Sequence, residues 1–568
     1  MMKRRYSTKE ALEMIVEPDP EPVEHNDLTS ESDTDTAEED EEYLPAAGSS
    51  STSSPDLSDG GEGETPPDLS WRSKNGEIQW AATNSETLQF NPSGTGITHG
   101  PTRYAVARVG EVIDSFDLFF TPEVTKRVLD YTNLHGRRTV PDWKDLDATT
   151  VRAYFGLLLL AGVYRSRGEA TRSLWNEQTG RHIFRATMSA KTFGLISRIL
   201  RFDDRLSKPR RRGADKLAAV REIWDLWTSR LPLMFNPGVD ICVDEQLVPY
   251  RGRCEFRQYM PMKPARYGLK MWVTCDVQTS YAWRVSVYTG REAGAPAERN
   301  QGRRVVLEMT EGLRGVTVTC DNFFSSFGLA EELLRRKIAM VGTMRKSRPE
   351  LPPELLRVRK REVLSSIFAF TQTHTLVSYI PKRGKNVVLL STKHRAPEIS
   401  GEKKRKPQII LDYNCCKGGV DTMDEMISTY SCRRRTRRWP LALFFNMLDI
   451  SALNAYIVWT AIDPAWHRGK SHRRRLFLEE LGKKLVNPQM ARRERLPLTP
   501  GALSLVLEAQ AGTGNTTSTS TSTTPTTLRV RRQCAVCPTR RVVFCTCKIC
   551  KKHVCKEHYG TVCSSCLP

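Results

Sequence analysis

CVDEQLVPYRGR at 242–253 and VTVTCDNFFSS at 316–326 each carry an aspartate, Asp244 or Asp321, at the end of a β-branched apolar run. We expect both runs to be strands whose end carboxylates are exposed at one edge of a sheet. Carboxylates that converge there repel each other unless cations lie between them, and such hard oxygen ligands suit Mg²⁺. Because a pair of Mg²⁺ ions commonly cuts and joins phosphodiesters, the two segments predict that type of chemistry.

A third segment, GGVDTMDEM at 418–426, places Asp421 and Asp424 after a Gly-Gly break. A helix puts residues three apart on one face. Taken alone, the pair also fits a helix N-cap with an acid at N3, and an aspartate that ends a strand often only starts a turn. Asp276 is of that kind, because a hairpin turn follows it. The three segments together favour one catalytic site formed by Asp244, Asp321, Asp421 and Asp424.

Between 239 and 345 the apolar pattern is strand-like. The order is a strand, a hairpin, a helix, a strand, a helix and a strand. This is the order of the ribonuclease-H-like sheet, in which the first and fourth strands are neighbours. We therefore predict a multidomain α/β protein with a catalytic sheet at 239–348, a β-rich insertion subdomain at 349–406 and the rest of the catalytic domain at 407–430.

Helical patterns flank this sheet at 96–238 and 431–508, with apolar residues at spacings of three and four. The segment 441–459 is long enough to span a membrane. It contains four polar residues that are costly in hydrocarbon, Asn446, Asp449, Ser451 and Asn454. We therefore predict a buried helix of a large soluble domain, and no membrane partner.

The net charge of +21 is unevenly distributed. Residues 1–70 hold 20 acidic and 4 basic side chains, and the remaining 498 residues hold 82 basic and 45 acidic ones. A body this basic predicts an extended polyanion as its partner. The acidic region 1–95 has the composition of a disordered segment. Its Ser32, Thr34 and Thr36 precede acids, which favours an acid-directed kinase and a plain solvated tail equally.

Eight of the 15 cysteines lie between 534 and 566, within a module at 529–568 that follows a flexible linker at 509–528. Without a secretory signal they indicate metal binding rather than disulfides, and four ligand pairs predict two structural Zn²⁺ ions. The four ligand pairs can bind the two ions either sequentially or in an interleaved cross-brace, and the sequence leaves both arrangements open. Cys545 and His553 are additional residues that could substitute for a ligand. Interleaved pairing gives one ion to Cys534, Cys537, Cys555 and His558, and the other to Cys547, Cys550, Cys563 and Cys566.

A run of arginines follows the third aspartate segment and offers phosphate partners. Trp439 ends the run and can stack on an unpaired base, although a core tryptophan is an equal alternative. The predicted DNA-binding arginines here are Arg433, Arg434, Arg437 and Arg438, with Arg435 between them.

Several motifs resemble those of the piggyBac family of transposases. They are VDEQLVPYRGRCEFRQYMPMKPARYGLKMWVTCD, TCDNFFSSFGLAEELL, VGTMRKSRP, YNCCKGGVDTMDEM and RRRTRRWPLALFFNMLDISALNAY. The cysteine tail matches as well, and the resemblance runs from about residue 95 to the end of the chain. The chain departs from the family in two places. The tail has an additional cysteine, Cys545, and the first strand carries Cys242 where an aliphatic residue or Thr is expected.

The resemblance implies that Asp244, Asp321 and Asp421 form a catalytic triad, with Asp424 beside it. It implies two Mg²⁺ ions, or Mn²⁺ in their place. In our hypothesis Asp244 and Asp321 hold one ion, and Asp244 and Asp421 hold the second. The positions that match DNA contacts of the family are Asn322, Arg345, Arg348 and Trp439.

The resemblance also implies the reaction. The family binds the terminal inverted repeats of its element, nicks the 3′ ends, forms hairpins and joins the excised element to TTAA. The helical blocks at 96–238 and 431–508 would form one dimerisation and DNA-binding domain. The cysteine tail would bind the repeats as a dimer. The implied partners are double-stranded DNA and a second copy of the chain, and the substrate implies a nuclear location.

Other functions remain open at this stage. A domesticated, non-cleaving DNA-binding or chromatin protein of the same fold is the main alternative, and the four intact aspartates argue against it. A zinc-bridged ubiquitin ligase is disfavoured because the cysteine tail is short, very basic and joined to a metal-nuclease sheet. A zinc hydrolase is disfavoured because closed four-ligand sites leave no position for water.

Overall fold

The structure, a computed structural model, describes residues 70–84, 98–290 and 298–512, together with the backbone of four two-residue strands in the cysteine-rich module. The strands are β1 (Ser70–Arg72), β2 (Gln79–Ala81), β3 (Gly100–Pro101), β4 (Phe235–Asn236), β5 (Asp240–Pro249), β6 (Arg257–Tyr259), β7 (Tyr267–Asp276), β8 (Ala282–Val287), β9 (Thr317–Cys320), β10 (Ala339–Thr343), β11 (Ser366–Phe370), β12 (Thr375–Lys382), β13 (Lys385–Ser391), β14 (Arg532–Gln533), β15 (Val542–Val543), β16 (Cys545–Thr546) and β17 (His553–Val554).

Helices surround these strands. They are α1 (Arg103–Val106), α2 (Val112–Asp117), α3 (Pro122–Thr139), α4 (Ala148–Val163), α5 (His182–Thr187), α6 (Ala190–Ile199), α7 (Lys208–Arg212), α8 (Arg221–Thr228), α9 (Leu231–Met234), α10 (Gln301–Met309), α11 (Phe327–Arg335), α12 (Pro353–Leu356), α13 (Gln408–Cys416), α14 (Gly419–Thr429), α15 (Trp439–Ile462), α16 (Arg473–Ala491) and α17 (Pro500–Gly512). Two 3₁₀ turns, Ser166–Gly168 and Thr171–Trp175, follow α4.

One mixed sheet of eleven strands organises the molecule, in the order β1-β2-β11-β12-β13-β10-β9-β5-β7-β6, with β8 on the side of β7. Strand β5 runs parallel to β9 and antiparallel to β7, and β9 runs parallel to β10. The prediction that the first and fourth strands of this region are neighbours is therefore confirmed. Both faces of the sheet are buried, which suits its runs of Val, Ile and Trp.

The segment predicted as an insertion subdomain at 349–406 extends the same sheet. Its strands β11, β12 and β13 form a meander, and β13 pairs antiparallel with β10 through Gly342 and Leu390. What looks like an interruption in the sequence is continuous with the sheet in space, because the free edge of β10 offers a row of backbone groups that another strand can satisfy.

The prediction of disorder for all of 1–95 is wrong for residues 70–84, which form a β-hairpin. Strands β1 and β2 pair through Trp71 and Trp80, and Ala81 pairs with Phe370 at the edge of the large sheet. The turn places Gly76 at φ +73°, a conformation that suits glycine. Trp80 is fully buried, and the burial of so large a ring holds the hairpin to the sheet.

The two helical blocks of the sequence pack into one core. Helix α4 of the first block and α16 of the second approach closely because each carries a glycine at the contact. A Cβ on Gly156 would lie 2.8 Å from Leu485, and one on Gly482 would lie 2.6 Å from Leu160. The helical region is therefore discontinuous in sequence and continuous in space.

Helix α15 is the central helix, and it is long and apolar enough to cross a membrane. Its apolar window is 94% buried inside the protein. The polar residues have internal partners: Trp227 Nε1 donates to Ser451 Oγ at 2.8 Å, and Asn446 Nδ2 donates to Gln246 Oε1 at 3.0 Å. The prediction of a buried core helix is confirmed.

The structure describes only part of the predicted C-terminal organisation. Helix α17 continues to Gly512, so the predicted linker begins at least three residues later than 509; its Leu- and Ala-rich sequence favours helix. In the cysteine-rich module β14 pairs with β15 and β16 with β17. The predicted zinc ligands, and Ser32, Thr34 and Thr36, lie outside the described residues.

Asn454 provides a test of how α15 holds the sheet. Its Oδ1 accepts from Ala282 N at 3.0 Å and its Nδ2 donates to Ala282 O at 2.9 Å, and both residues are fully buried. We expect Asn454→Ala to lower the free energy of unfolding by about 2–4 kcal/mol, because two buried backbone groups lose their partners. Thermal unfolding measures this. Asn487→Ala, on the exposed side of α16, is the control, and an equal effect of both changes would contradict the assignment.

Candidate active site

Two predicted catalytic residues lie side by side where the pairing of two strands ends. Parallel pairing of β5 and β9 ends at Val243 and Cys320, and the next residues are Asp244 and Asp321. The sequence predicts Asp244 at a strand end. That prediction is wrong, because β5 continues past Asp244 to Pro249 along β7. What ends at Asp244 is the contact with β9, so its carboxylate still borders an open edge.

The environment of these carboxyls is unfavourable for negative charge. Burial raises the pKa of Asp244 to about 8, and the negative charges of Glu245 and Asp321 act in the same direction. Burial likewise raises the pKa of Asp321 and of Asp424. Desolvated acids that face one another are stable as anions only when positive charge is nearby.

Helix α14 carries the other two aspartates and lies against β5. A Cβ on Gly419 would come within 2.9 Å of Cys242 Cβ, so glycine is needed where the helix begins. Asp424 Oδ1 accepts from Gln246 Nε2 at 2.6 Å, and Gln246 is 2% exposed. Asp421 points outward, with a side chain 69% exposed. The structure thus places the four predicted acids around the middle of β5, two at the sheet and two on the helix: Asp424 is bonded to Gln246, and Asp421 lies beside Lys263, which also approaches Glu245.

Lysines compensate part of this charge, and sequence reasoning missed them. Lys263 Nζ lies 3.4 Å from Asp421 Oδ1 and 3.7 Å from Glu245 Oε1, and Lys270 Nζ lies 4.0 Å from Glu245 Oε2. Glu245 and Lys263 fall within the quoted family motif, but nothing in their spacing marks them. Lys263 reaches Glu245 because the turn between β6 and β7 lies near β5, with which β7 pairs antiparallel.

The donor set fits a hard cation. Every donor is a carboxylate oxygen, which is the ligand type that Mg²⁺ prefers. In the three described ranges, no three His, Cys, Asp or Glu side chains converge as a ready-made metal cluster. Asp244 and Asp321 supply the buried pair, and Asp421 is held by Lys263 near them.

Of the predicted DNA contacts, Asn322 and Arg345 lie beside Asp321, and Arg348 follows in the same loop as Arg345. Arg345 Nε donates weakly to Asn322 Oδ1 at 3.4 Å, and the Arg345 guanidinium lies 5.8 Å from the ring centroid of Phe323. Arg345 is exposed, and its charge lowers the pKa of Asp321 against the effect of burial. Arg348 is half-buried. This loop therefore offers positive charge next to the acids.

The predicted arginine run divides into inward and outward members. Arg438 donates to Ser197 O at 2.8 Å and Leu200 O at 2.8 Å, which are carbonyls at the C-terminal end of α6. Arg433 donates to Pro249 O at 3.3 Å, and Arg434 donates to Ser166 O. These three hold the protein together. The exposed members are Arg435 and Arg437.

Trp439 lies half-buried at the start of α15, with its ring centroid 5.0 Å from that of Phe256 in an edge-to-face contact. It lines a cavity of about 360 Å³ together with Arg201, Arg205 and Arg437. The pocket combines an aromatic wall with basic side chains.

Asp276 is a turn residue, in contrast to the four predicted catalytic acids: its Oδ2 accepts from Thr279 N at 2.9 Å and its Oδ1 from Gly238 N at 2.7 Å.

Comparison with known proteins identifies relatives. A family model described as Transposase IS4 matches residues 113–456. The chain is 24% identical over 356 residues to human piggyBac transposable element-derived protein 3, covering 58% of this chain and 59% of that protein. It is 22% identical over 367 residues to human piggyBac transposable element-derived protein 2, covering 60% of each. The chain thus spans about three fifths of the length of these relatives.

A solved structure is also similar. It is the cryo-EM structure of a piggyBac transposase synaptic complex with hairpin DNA, with a TM-score of 0.70 and 32% sequence identity. The match covers 83% of this chain and 100% of that chain.

The two kinds of arginine predict different variants. Arg438→Ala should lower the free energy of unfolding by about 2–4 kcal/mol, because a charged donor is removed from buried carbonyls. Arg437→Ala should change it by less than about 0.5 kcal/mol, since an exposed side chain is lost. Thermal unfolding of both variants checks this, and equal midpoints would contradict the inward assignment of Arg438.

Asp449 predicts a pH effect on stability. It lies on α15, where its carboxylate accepts from Ser431 Oγ at 2.6 Å and Cys432 N at 2.8 Å, and burial raises its pKa to about 6. A raised folded pKa gives stability that is present below about pH 4 and is lost as the pH rises through about 6. Asp449→Asn stays neutral, so relative to wild type it should gain up to about 3 kcal/mol between these pH values. Denaturant unfolding at pH 4 and pH 7 measures the difference, and a constant difference would contradict it.

Proposed function

Because this chain belongs to the Transposase IS4 family, in its piggyBac branch, we propose that it is a cut-and-paste DNA transposase. It binds terminal inverted repeats, excises the element through hairpin intermediates and integrates it at TTAA. The observation that carries the proposal is the register of β5 and β9, which sets Asp244 and Asp321 side by side beneath the start of the helix that holds Asp421. Catalysis is metal-dependent strand cleavage and strand transfer.

Asp244, Asp321 and Asp421 would hold two Mg²⁺ ions, or Mn²⁺, with Asp424 as a supporting acid. Bound there, the ions would activate the attacking oxygen and stabilise the leaving oxygen of a phosphodiester. The protein's own groups do the rest. Gln246 fixes Asp424, Lys263 offsets negative charge at Asp421 until the ions bind, and Arg345 offers a cation to the DNA backbone beside Asp321.

The partners are double-stranded DNA and a second copy of this chain. The exposed Arg437 and the pocket lined by Trp439 and Arg201 support a DNA path toward the acids. The cysteine-rich module would bind two structural Zn²⁺ and contact the repeats, which its basic composition supports. Such a substrate implies a nuclear location. Of the basic runs at 403–406, 473–475 and 529–532, the first lies mostly exposed in a loop, as an import signal would.

A second candidate is a domesticated DNA-binding protein without cleavage activity. The names of the two human relatives, which are transposable element-derived proteins, favour this alternative. The intact set Asp244, Asp321, Asp421 and Asp424 favours the enzyme. All of these acids except the exposed Asp421 are buried, and their burial costs folding energy that a non-cleaving protein has no reason to retain.

Strand cleavage tests the proposal. Purified protein with Mg²⁺ and DNA that carries the flanking inverted repeats bordered by TTAA should give hairpin-ended products. Asp321→Asn should reduce them by more than about 10³-fold, because it removes a ligand and a charge at the reacting phosphate. It should bind the DNA as well as wild type does.

Glu425→Gln is the matched control, because Glu425 lies exposed on the same helix as Asp421. It should cleave at the wild-type rate. Binding without cleavage by wild type would support the domesticated alternative. Cleavage by Asp321→Asn would contradict the proposed metal site.

A further inference from the structure

The hairpin at 70–81 binds a loop that lies next to the acids. This loop, at 344–351, follows β10 and carries Arg345 and Arg348. Lys74 N donates to Leu351 O at 3.2 Å and Asn75 N donates to Pro349 O at 3.2 Å. Two side chains add to these: Trp80 Nε1 donates to Glu350 O at 3.1 Å, and Lys74 Nζ donates to Lys346 O at 2.5 Å. Four carbonyls of one short loop therefore receive donors from the hairpin.

The loop has little regular structure of its own. Arg348 N donates to Arg345 O at 3.1 Å and Leu351 N donates to Arg348 O at 3.4 Å, so it consists of two successive turns. Loops with few internal hydrogen bonds open at low cost. Its two ends, Met344 and Leu351, are buried in the core, and between them the donors from the hairpin restrict it.

The hairpin is itself firmly held. Trp80 packs edge-to-face against Phe327, with the ring centroids 5.9 Å apart. Beyond β2, Asn84 Nδ2 donates to Arg395 O at 2.9 Å, and Asn84 Oδ1 accepts from Arg395 Nη2 at 3.0 Å. A hairpin fixed at both its ring and its end can position what it contacts.

The other end of the loop reaches the site. Arg345 meets Asn322 Oδ1 and the Phe323 ring, and Asn322 directly follows Asp321 in sequence. Arg348 Nε is buried and makes no hydrogen bond within the described ranges. The exposed guanidinium that this loop presents beside Asp321 is therefore that of Arg345.

Covering a sheet edge is the simpler role of such a hairpin, since exposed edges aggregate. That role needs only the pairing of Ala81 with Phe370. It does not account for the Lys74 ammonium and the Trp80 indole N–H, both of which are directed at loop carbonyls rather than at the edge strand.

We propose that the hairpin at 70–81 is a positioning element of the active site, in which Lys74 and Trp80 fix the 344–351 loop so that Arg345 meets the DNA backbone beside Asp321. This inference rests on the proposed function, because it assigns the loop to DNA. Lys74 and Trp80 are positioning residues and touch no substrate.

The test compares two double variants of the full-length protein. Lys74→Met with Trp80→Phe removes both side-chain donors and keeps most of the bulk. Arg72→Met with Trp71→Phe makes the same chemical changes on the same hairpin, at an exposed arginine and a half-buried ring. Hydrogen exchange of the amides at 345–351 is measured in each, with β9 as an internal reference. Affinity for a TTAA-flanked duplex is measured at one fixed salt concentration.

We expect the first variant to exchange faster at 345–351 only, and to bind DNA about tenfold more weakly, as the loss of two hydrogen bonds allows. In an Arg345→Ala background the same change should weaken binding less than about twofold, because the residue that it positions is gone. The second variant should match wild type in both measurements.

Equal weakening with and without Arg345 would overturn the proposal, and so would unchanged exchange at 345–351. If wild type itself fails to bind the duplex, the proposed function fails. Exchange at the loop then still decides whether the hairpin holds it.

Discussion

The parallel register of β5 and β9 is the constraint on which the site depends. It sends two carboxylates out of the sheet at adjacent positions, Asp244 and Asp321, in surroundings that disfavour their charge. The neighbouring elements meet that cost. Helix α14 approaches through Gly419, and Lys263 and Lys270 bring positive charge across from the β6–β7 side. The register creates the electrostatic problem, and the elements around it supply partial compensation.

Basic composition and basic surface differ in this protein. Arg433, Arg434 and Arg438 donate to carbonyls of the protein, so they join the segment between α14 and α15 to β5, to the 3₁₀ turn after α4 and to α6 rather than facing solvent. Arginine suits this work because its planar group satisfies several carbonyls at once. Its value to a DNA-binding protein is then partly architectural, and the charge available to a phosphate comes from the remaining exposed members.

Periodicity and strand order predicted the strands of the large sheet and the pairing of β5 with β9, because a buried strand needs continuous apolar residues. The hairpin at 70–84 was missed since the acidic composition around it dominated, although Asn75-Gly76 between Trp71 and Trp80 is a hairpin signal. The direction of the arginines and the position of Lys263 could not be predicted. Both depend on contacts between segments that are far apart in the sequence, and no local pattern encodes those contacts.

A cluster of buried acids would be costly in a protein that used it only for folding. Asp449 shows how such a group is accommodated when it is structural, with a hydroxyl and a backbone N–H bound to its two oxygens. Asp276 is accommodated in the same way by a turn. Among the residues that the structure describes, one donor, Glu245 N at 2.8 Å, binds the Asp244 carboxylate, and the negative charges of Glu245 and Asp321 add to the effect of burial in raising its pKa. The contrast separates Asp449 and Asp276, whose oxygens have donors within the fold, from Asp244, and it supports the proposal that Asp244 is one of the acids that bind a cation.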